Sequence, residues 1–125
     1  MATERQRRIV RAVTATIPRA PFLDAEAIRE AARSRRMRSL SPEAAVWLAA
    51  VARIRHKHTD YDALMDDGYD RDAARFFVAD DINAVLDAWG ARRHVDPADA
   101  ADEAEIAAEN MDEDEDDTQG ADRGA

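Results

Sequence analysis

Two long segments of helical periodicity, joined by a short charged hinge, constrain this chain more than any other feature. Ser41 followed by Pro42 starts the first. A serine side chain accepts a hydrogen bond from the first turn, and a proline there has no N–H to leave unpaired. The segment reads as helix to about His58, and at about 100 degrees per residue Ala44, Trp47, Leu48, Val51, Ile54 and His58 share one stripe. Asp70 caps the second segment, roughly Arg71 to Trp89, with Gly90 as its stop. Ala74, Phe77, Val78, Ile82, Val85, Leu86 and Trp89 form its expected apolar face, with Arg75 and Asp81 at the border of that face. Between the two, Thr59 reads as the cap of a short helix with Asp62 at its third position. Tyr61, Leu64 and Met65 are expected to face inward there, and Gly68 to close the turn.

The same signals recur upstream. Thr3 with Gln6 is a capping-box pattern opening a helix over about Glu4 to Thr16, with Ile9, Val10, Val13 and Ile17 on one face and Arg7, Arg8 and Arg11 on the other. Pro18 and Pro21 end it. Asp24 reads as the cap of a second helix running to about Ser34, with Leu23 and Ile28 at hydrophobic-staple spacing. Downstream, Asp96-Pro97 can start a further helix through about Asn110, and the acidic run from Asp112 onward reads as disordered. With almost no period-two alternation, the expectation is an all-α, compact bundle of four to five helices with two long core helices, about 42–58 and 71–89. The expected division is a helical domain over residues 1–95 and an acidic tail over 96–125.

Several classes of function are excluded early. The chain has no cysteine, so a disulfide framework and a thiolate zinc site are out, and a reducing, cytoplasmic compartment is the expectation. The longest uncharged run, Ala44 to Ala52, is far shorter than the ~20 residues a spanning helix needs, so no membrane partner is expected. No Gly-rich phosphate loop and no internal repeat is visible.

The net charge of −9 conceals a division between basic front and acidic rear. Residues 1–59 carry 13 Lys and Arg against 5 Asp and Glu, a net +8, whereas residues 96–125 carry 1 against 13, a net −12. Nucleic acid, an acidic protein or the chain's own tail are therefore the expected partners of the front half. The candidate polyanion contacts are Arg33, Arg35, Arg36 and Arg38, in the densest basic run, with Arg53, Arg55 and Lys57 as extensions and Arg7, Arg8 and Arg11 on the first helix. The plainer alternative for that run is a solvated loop paired with the acidic half. Thr59 to Trp89 has helix-turn-helix spacing, but residues 60–91 carry 2 arginines against 9 acids and would repel phosphates.

The hinge holds four metal-capable side chains, His56, His58, Asp60 and Asp62, suited by type to Zn, Mn or Fe. On a regular helix, however, His56 and His58 project about 200 degrees apart and cannot chelate together. Each also has a structural role near a helix end, so neither a resident metal nor another cofactor is expected. A second expectation is a buried polar clasp of His58, Tyr61 and Arg75, with Asp62 or Asp81 as carboxylate partner, fixing how the long helices cross.

The runs Arg55-His56-Lys57-His58-Thr59-Asp60-Tyr61-Asp62-Ala63-Leu64, Gly68-Tyr69-Asp70-Arg71-Asp72-Ala73-Ala74-Arg75 and Asp81-Ile82-Asn83-Ala84-Val85-Leu86 with Trp89 resemble the bacterial family catalogued as domain of unknown function 2293. The likeness covers roughly residues 15–93 and leaves out the acidic tail. It implies no activity, substrate or cofactor. Members often carry a histidine where this chain has Arg53, so it implies no three-histidine site either.

The functional expectation is a small non-enzymatic binding module whose basic front meets nucleic acid or an acidic partner, with the tail competing for that face. The alternative is a protein adaptor that uses an apolar patch, and after it a small metal-dependent enzyme built on the hinge. The sequence carries no indication of oligomeric state.

Overall fold

Thr3 and Gln6 satisfy each other's backbone in the expected capping box, and α1 accordingly runs Glu4–Thr16 in the computed structural model, which describes residues 2–97. Ile9, Val13 and Ile17 are buried along its length. Burial of side chains this large contributes about 1.5–3 kcal/mol each, whereas exposed pairs such as Arg7–Glu4 and Arg11–Glu4 contribute about 0–1 kcal/mol, so packing holds α1.

Helix α2 spans Phe22–Ala32 and departs from expectation at its start. Pro21 precedes it in extended backbone and no side chain caps it, so Asp24 is its third residue and not its cap. Leu23 then faces solvent at 75 % exposure, and the expected staple with Ile28 is not made. A single 3-10 turn over Arg35–Met37 follows. Arg5 of α1 closes it by donating to the Leu40 and Met37 carbonyls at 2.8 and 2.9 Å.

Helix α3, Pro42–His58, begins at Ser41 as expected, with the serine hydroxyl accepting from the Ala44 N–H at 3.1 Å. It packs against α1, α2, the short α4 (Tyr61–Asp66) and α5 (Arg71–Ala88). Its burial is therefore not confined to one stripe: Ala45, Val46, Ala49, Ala50 and Ala52 are covered as well as Trp47, Val51 and Ile54. The alanines leave room for neighbours on every side. Helix α5 opens with Asp70 accepting from the Ala73 N–H at 2.8 Å. Its buried arc is Ala74, Arg75, Val78, Ala79, Ile82 and Leu86, centred near Ile82, and Phe77 lies about 140 degrees away. Phe77 was expected inside and is 59 % exposed, stacked edge to face on Tyr69. Asn83 holds the chain beyond α5, donating to the Val95 carbonyl at 2.9 Å and accepting from its N–H at 2.7 Å.

Every regular element among the described residues is a helix, and none of these helices is long and apolar enough to cross a membrane. The helix expected through Asn110 and the tail expected to be disordered lie outside the described residues.

Gly68 and Gly90 both adopt positive φ, +99 and +86 degrees, at the ends of α4 and α5. A Cβ on Gly68 would meet open space, whereas one on Gly90 would stand 3.0 Å from the Pro18 ring and 3.1 Å from the Arg19 guanidinium. Gly68→Ala should cost about 1 kcal/mol, the backbone effect alone, and Gly90→Ala should cost roughly 1–3 kcal/mol more because a proline ring cannot swing aside. Paired urea unfolding curves test this ordering, and equal losses would contradict it.

Candidate functional site

The last two turns of α3 send their polar side chains in three directions. Arg53 and His58 both reach α2, where the Arg53 Nε donates to Asp24 Oδ1 at 2.8 Å and His58 Nε2 meets the same oxygen at 2.9 Å. Asp24 is only 6 % exposed. Burial pushes its carboxyl up, but the hydrogen bonds and charges of His58 and Arg53 outweigh that and hold it below the usual value. The His58 ring also stands edge-on to Trp89, 5.6 Å between centroids.

His56 leaves the opposite side of the helix, as its angle requires, and meets Asp62 at 2.8 Å with its ring edge-on to Tyr61 at 5.2 Å. Thr59 joins α3 to α4 by donating to the Arg55 carbonyl and accepting from the Tyr61 N–H at 3.2 Å. The two histidines thus serve different carboxylates, and Asp60 is exposed at the start of α4. Among the described residues no group of three or more His, Cys, Asp or Glu is arranged to hold a metal.

Arg55 takes the third direction, inward. It is 2 % exposed, as is Arg75 of α5, and its guanidinium lies 5.4 Å from the Tyr61 ring centroid. Burial and the like charge of Arg75 lower Arg55 to about 10, with Tyr61 and Asp62 opposing, so it remains a cation at neutral pH. Of the residues expected in a clasp, Tyr61 and Arg75 are buried, Asp62 goes to His56, His58 goes to Asp24, and Asp81 is exposed on α5. Arg55, expected as an exposed polyanion contact, instead lies at the centre of this region. Above it a cleft of about 680 Å³ opens between α2, α3, α4 and the start of α5, with Arg53, Lys57, Arg71 and Arg75 among its lining.

The basic front forms a separate surface. A groove of about 330 Å³ between α1 and α2 is lined by Arg7, Arg11, Arg29 and Arg33 over Ile9 and Val10, with no acidic residue in the lining. Arg35 and Arg38 are exposed just beyond it, and Arg36 is half-buried. Arg8 pairs with Glu43 at 3.2 Å, joining α1 to α3. Opposite in character is the outer face of α5, where Phe76 and Phe77 are 61 % and 59 % exposed beside Tyr69 at 45 %. Charge groups Arg55 with Arg53, although on a helix the two project about 200 degrees apart, and Asp24, read as a helix cap, gives no sign of its partners on α3.

A family model described as an uncharacterized conserved protein, DUF2293, matches residues 12–90. No curated protein and no solved structure matches the chain.

Asp24→Asn keeps the shape and removes the charge that Arg53 and His58 share. It should lower stability by about 1–3 kcal/mol at pH 7, the range for hydrogen bonds to charged groups. Because the folded carboxyl sits below its ordinary value, the native contribution is complete above about pH 4 and fades as pH falls further. Chemical unfolding from pH 7 to about pH 3 should show the two proteins converging in acid, and a constant gap would refute the assignment.

Proposed function

The chain belongs to the uncharacterized conserved family DUF2293, and for this member we propose a small non-enzymatic binding module whose basic front holds the phosphate backbone of a nucleic acid. The α1–α2 groove carries the reading, because four arginines and no carboxylate line it. Arg7 and Arg11 stand one turn apart, about 6 Å along α1, and can follow successive phosphates. Glu4 and Glu26 hold Arg7, Arg11 and Arg29 from outside in exposed pairs. Exposed pairs of this kind are weak, so a phosphate can displace them. The exposed Arg35 and Arg38 extend the groove, with Lys57 and Arg53 further along the same half of the chain.

The non-enzymatic part of the reading is supported by how the hinge is engaged: His56 and His58 each brace a carboxylate of another helix. The reading needs no cofactor and fits a cytoplasmic setting for a cysteine-free chain. The acidic tail acts as a tethered competitor for the groove, because residues 96–125 carry a net −12.

A second reading, an adaptor, is favoured by the exposed Phe76, Phe77 and Tyr69, with Asp72, Asp80 and Asp81 on the same outward side of α5. That surface suits a basic protein segment bearing apolar side chains.

Anisotropy of a labelled single-stranded oligonucleotide separates the two readings. Affinity should fall linearly with log salt, and Arg11→Ala with Arg33→Ala should reduce the slope by about 1–2. Changing the acids of 112–117 to Asn and Gln in the full chain should tighten binding. Absence of binding at low salt removes the nucleic-acid reading; a nuclease-resistant protein partner lost on Phe76→Ser and Phe77→Ser selects the adaptor.

A further inference from the structure

Two exposed faces of the domain are opposite in charge and alike in plan. On α5 the exposed rings of Phe76 and Phe77 run edge to face with each other and with Tyr69, at centroid distances of 6.3 and 5.6 Å. Asp72 stands four residues before Phe76, Asp80 four after it and Asp81 four after Phe77, so exposed carboxylates flank the rings by one helical turn on either side. Of the two cations of α5, Arg75 is buried and Arg71 lines the cleft beside α4. Neighbouring aromatic rings left in water, with a charged rim around them, mark a surface that another chain covers.

The α1–α2 groove repeats the plan with the sign reversed. Ile9 and the 48 % exposed Val10 form its floor, and Arg7, Arg11, Arg29 and Arg33 form its rim. Glu4 serves both Arg7 and Arg11, and Glu26 serves Arg29. These pairs are exposed, so an incoming carboxylate can replace a glutamate at little cost. Arg7 and Arg11 are one turn apart, about 6 Å, which is the spacing of Asp72, Phe76 and Asp80 as well. The groove, about 330 Å³, has room for a phenyl ring, which fits in about 150 Å³.

We propose that the α5 face of one copy docks into the α1–α2 groove of another, a head-to-tail contact between copies of this chain. Phe76 and Phe77 sit over Val10, ringed by guanidiniums whose planes stack on aromatic faces, while Asp72, Asp80 and Asp81 take the arginines. Two like faces cannot meet in this way: α5 on α5 sets aspartate against aspartate, and groove on groove sets arginine against arginine. The acidic tail brings charge to the groove, but residues 96–125 include no aromatic residue. Nor can one copy satisfy itself, because α3 is packed between α5 and the α1–α2 pair. The contact is heterologous, so each docked copy still presents a free face and assembly continues. One helix face in one groove buries an area at the small end for protein contacts, below about 1,200 Å², so the association is weak and rises with concentration. The proposal rests on the adaptor reading of the α5 face and is independent of whether the groove also takes nucleic acid.

Sedimentation velocity of the nuclease-treated full chain, over about a hundredfold range of concentration, is the test. The wild type should pass from monomer to dimer and longer species. Phe76→Ser with Phe77→Ser removes one face and Arg11→Glu with Arg33→Glu the other, and all four side chains are exposed, so circular dichroism should be unchanged. Each double variant alone should stay monomeric. Mixed in equal amounts, the two should form a dimer that does not extend, because each contributes only one intact face. A wild type monomeric at every concentration overturns the proposal, and so does a mixture that stays monomeric where the wild type associates. A monomeric wild type that still captures a different protein through Phe76 and Phe77 overturns self-association alone and leaves the adaptor reading standing.

Discussion

Helix α3 has neighbours on every side, and that enclosure determines where its charges can go. A helix with a single buried stripe can point all its cations at solvent, but α3 ends in Arg53, Arg55, His56, Lys57 and His58 while packing against α1, α2, α4 and α5. Each cation must therefore be partnered, reach a rim, or be buried at a cost. Arg53 and His58 are partnered by the one carboxylate that α2 turns inward. Lys57 reaches the rim. Arg55 is buried, cushioned by the Tyr61 ring and kept charged despite a fall to about 10. The cleft between α2, α3, α4 and α5 lies at this junction, with arginines and Lys57 on one part of its lining and alanines with Met65 on another.

What could be read from the sequence follows from how local each signal is. The Thr3–Gln6 box, the Ser41-Pro42 start, the Asp70 cap and the Gly68 and Gly90 stops depend on residues within one turn, and all stand as expected. Asp24 shows where locality fails. An aspartate near a helix start is favoured both as cap and in the first turn, and only the distant Arg53 and His58 decide which. The angular argument sent His56 and His58 to different sides, because it needs only the helix itself, but His58, expected on the core face, is exposed at the end of α3, where the covering neighbours stop. It also places Arg55 inside, about 40 degrees from Val51, although its charge led it to be counted with the surface cations; it could not foresee Phe77 outside, because which arc of α5 is covered depends on how many neighbours a helix has and where they sit. For α3 the answer is four, so the stripe widens to nearly the whole circumference. For α5 the covered arc turns toward Arg75 and Ala79, and Phe77 is carried to the surface.

The candidate sites divide along the same line. The arginines of the front groove come from two helices that any basic amphipathic reading brings forward, and Arg33, Arg35 and Arg38 are as exposed as a loop allows. The larger cleft draws its cations from α3 and α5, 14 positions or more apart, and its opposite wall from alanines that in sequence look like helix filler. No spacing rule connects Lys57 to Arg71 or Ala27 to Ala49. Packing alone does.

A net charge of −9 does not argue against the proposed phosphate contact at the front groove. Screening confines exposed charges to about 8 Å at physiological salt, so a ligand in the α1–α2 groove feels the four local arginines far more than acids on the outer face of α5. A segment of the same chain is different, because covalent connection raises its effective concentration, to about the millimolar range for a short linker. On the proposed reading the acidic tail competes with a long polyanion for the front groove, and its covalent connection, more than its net charge, is what lets it do so.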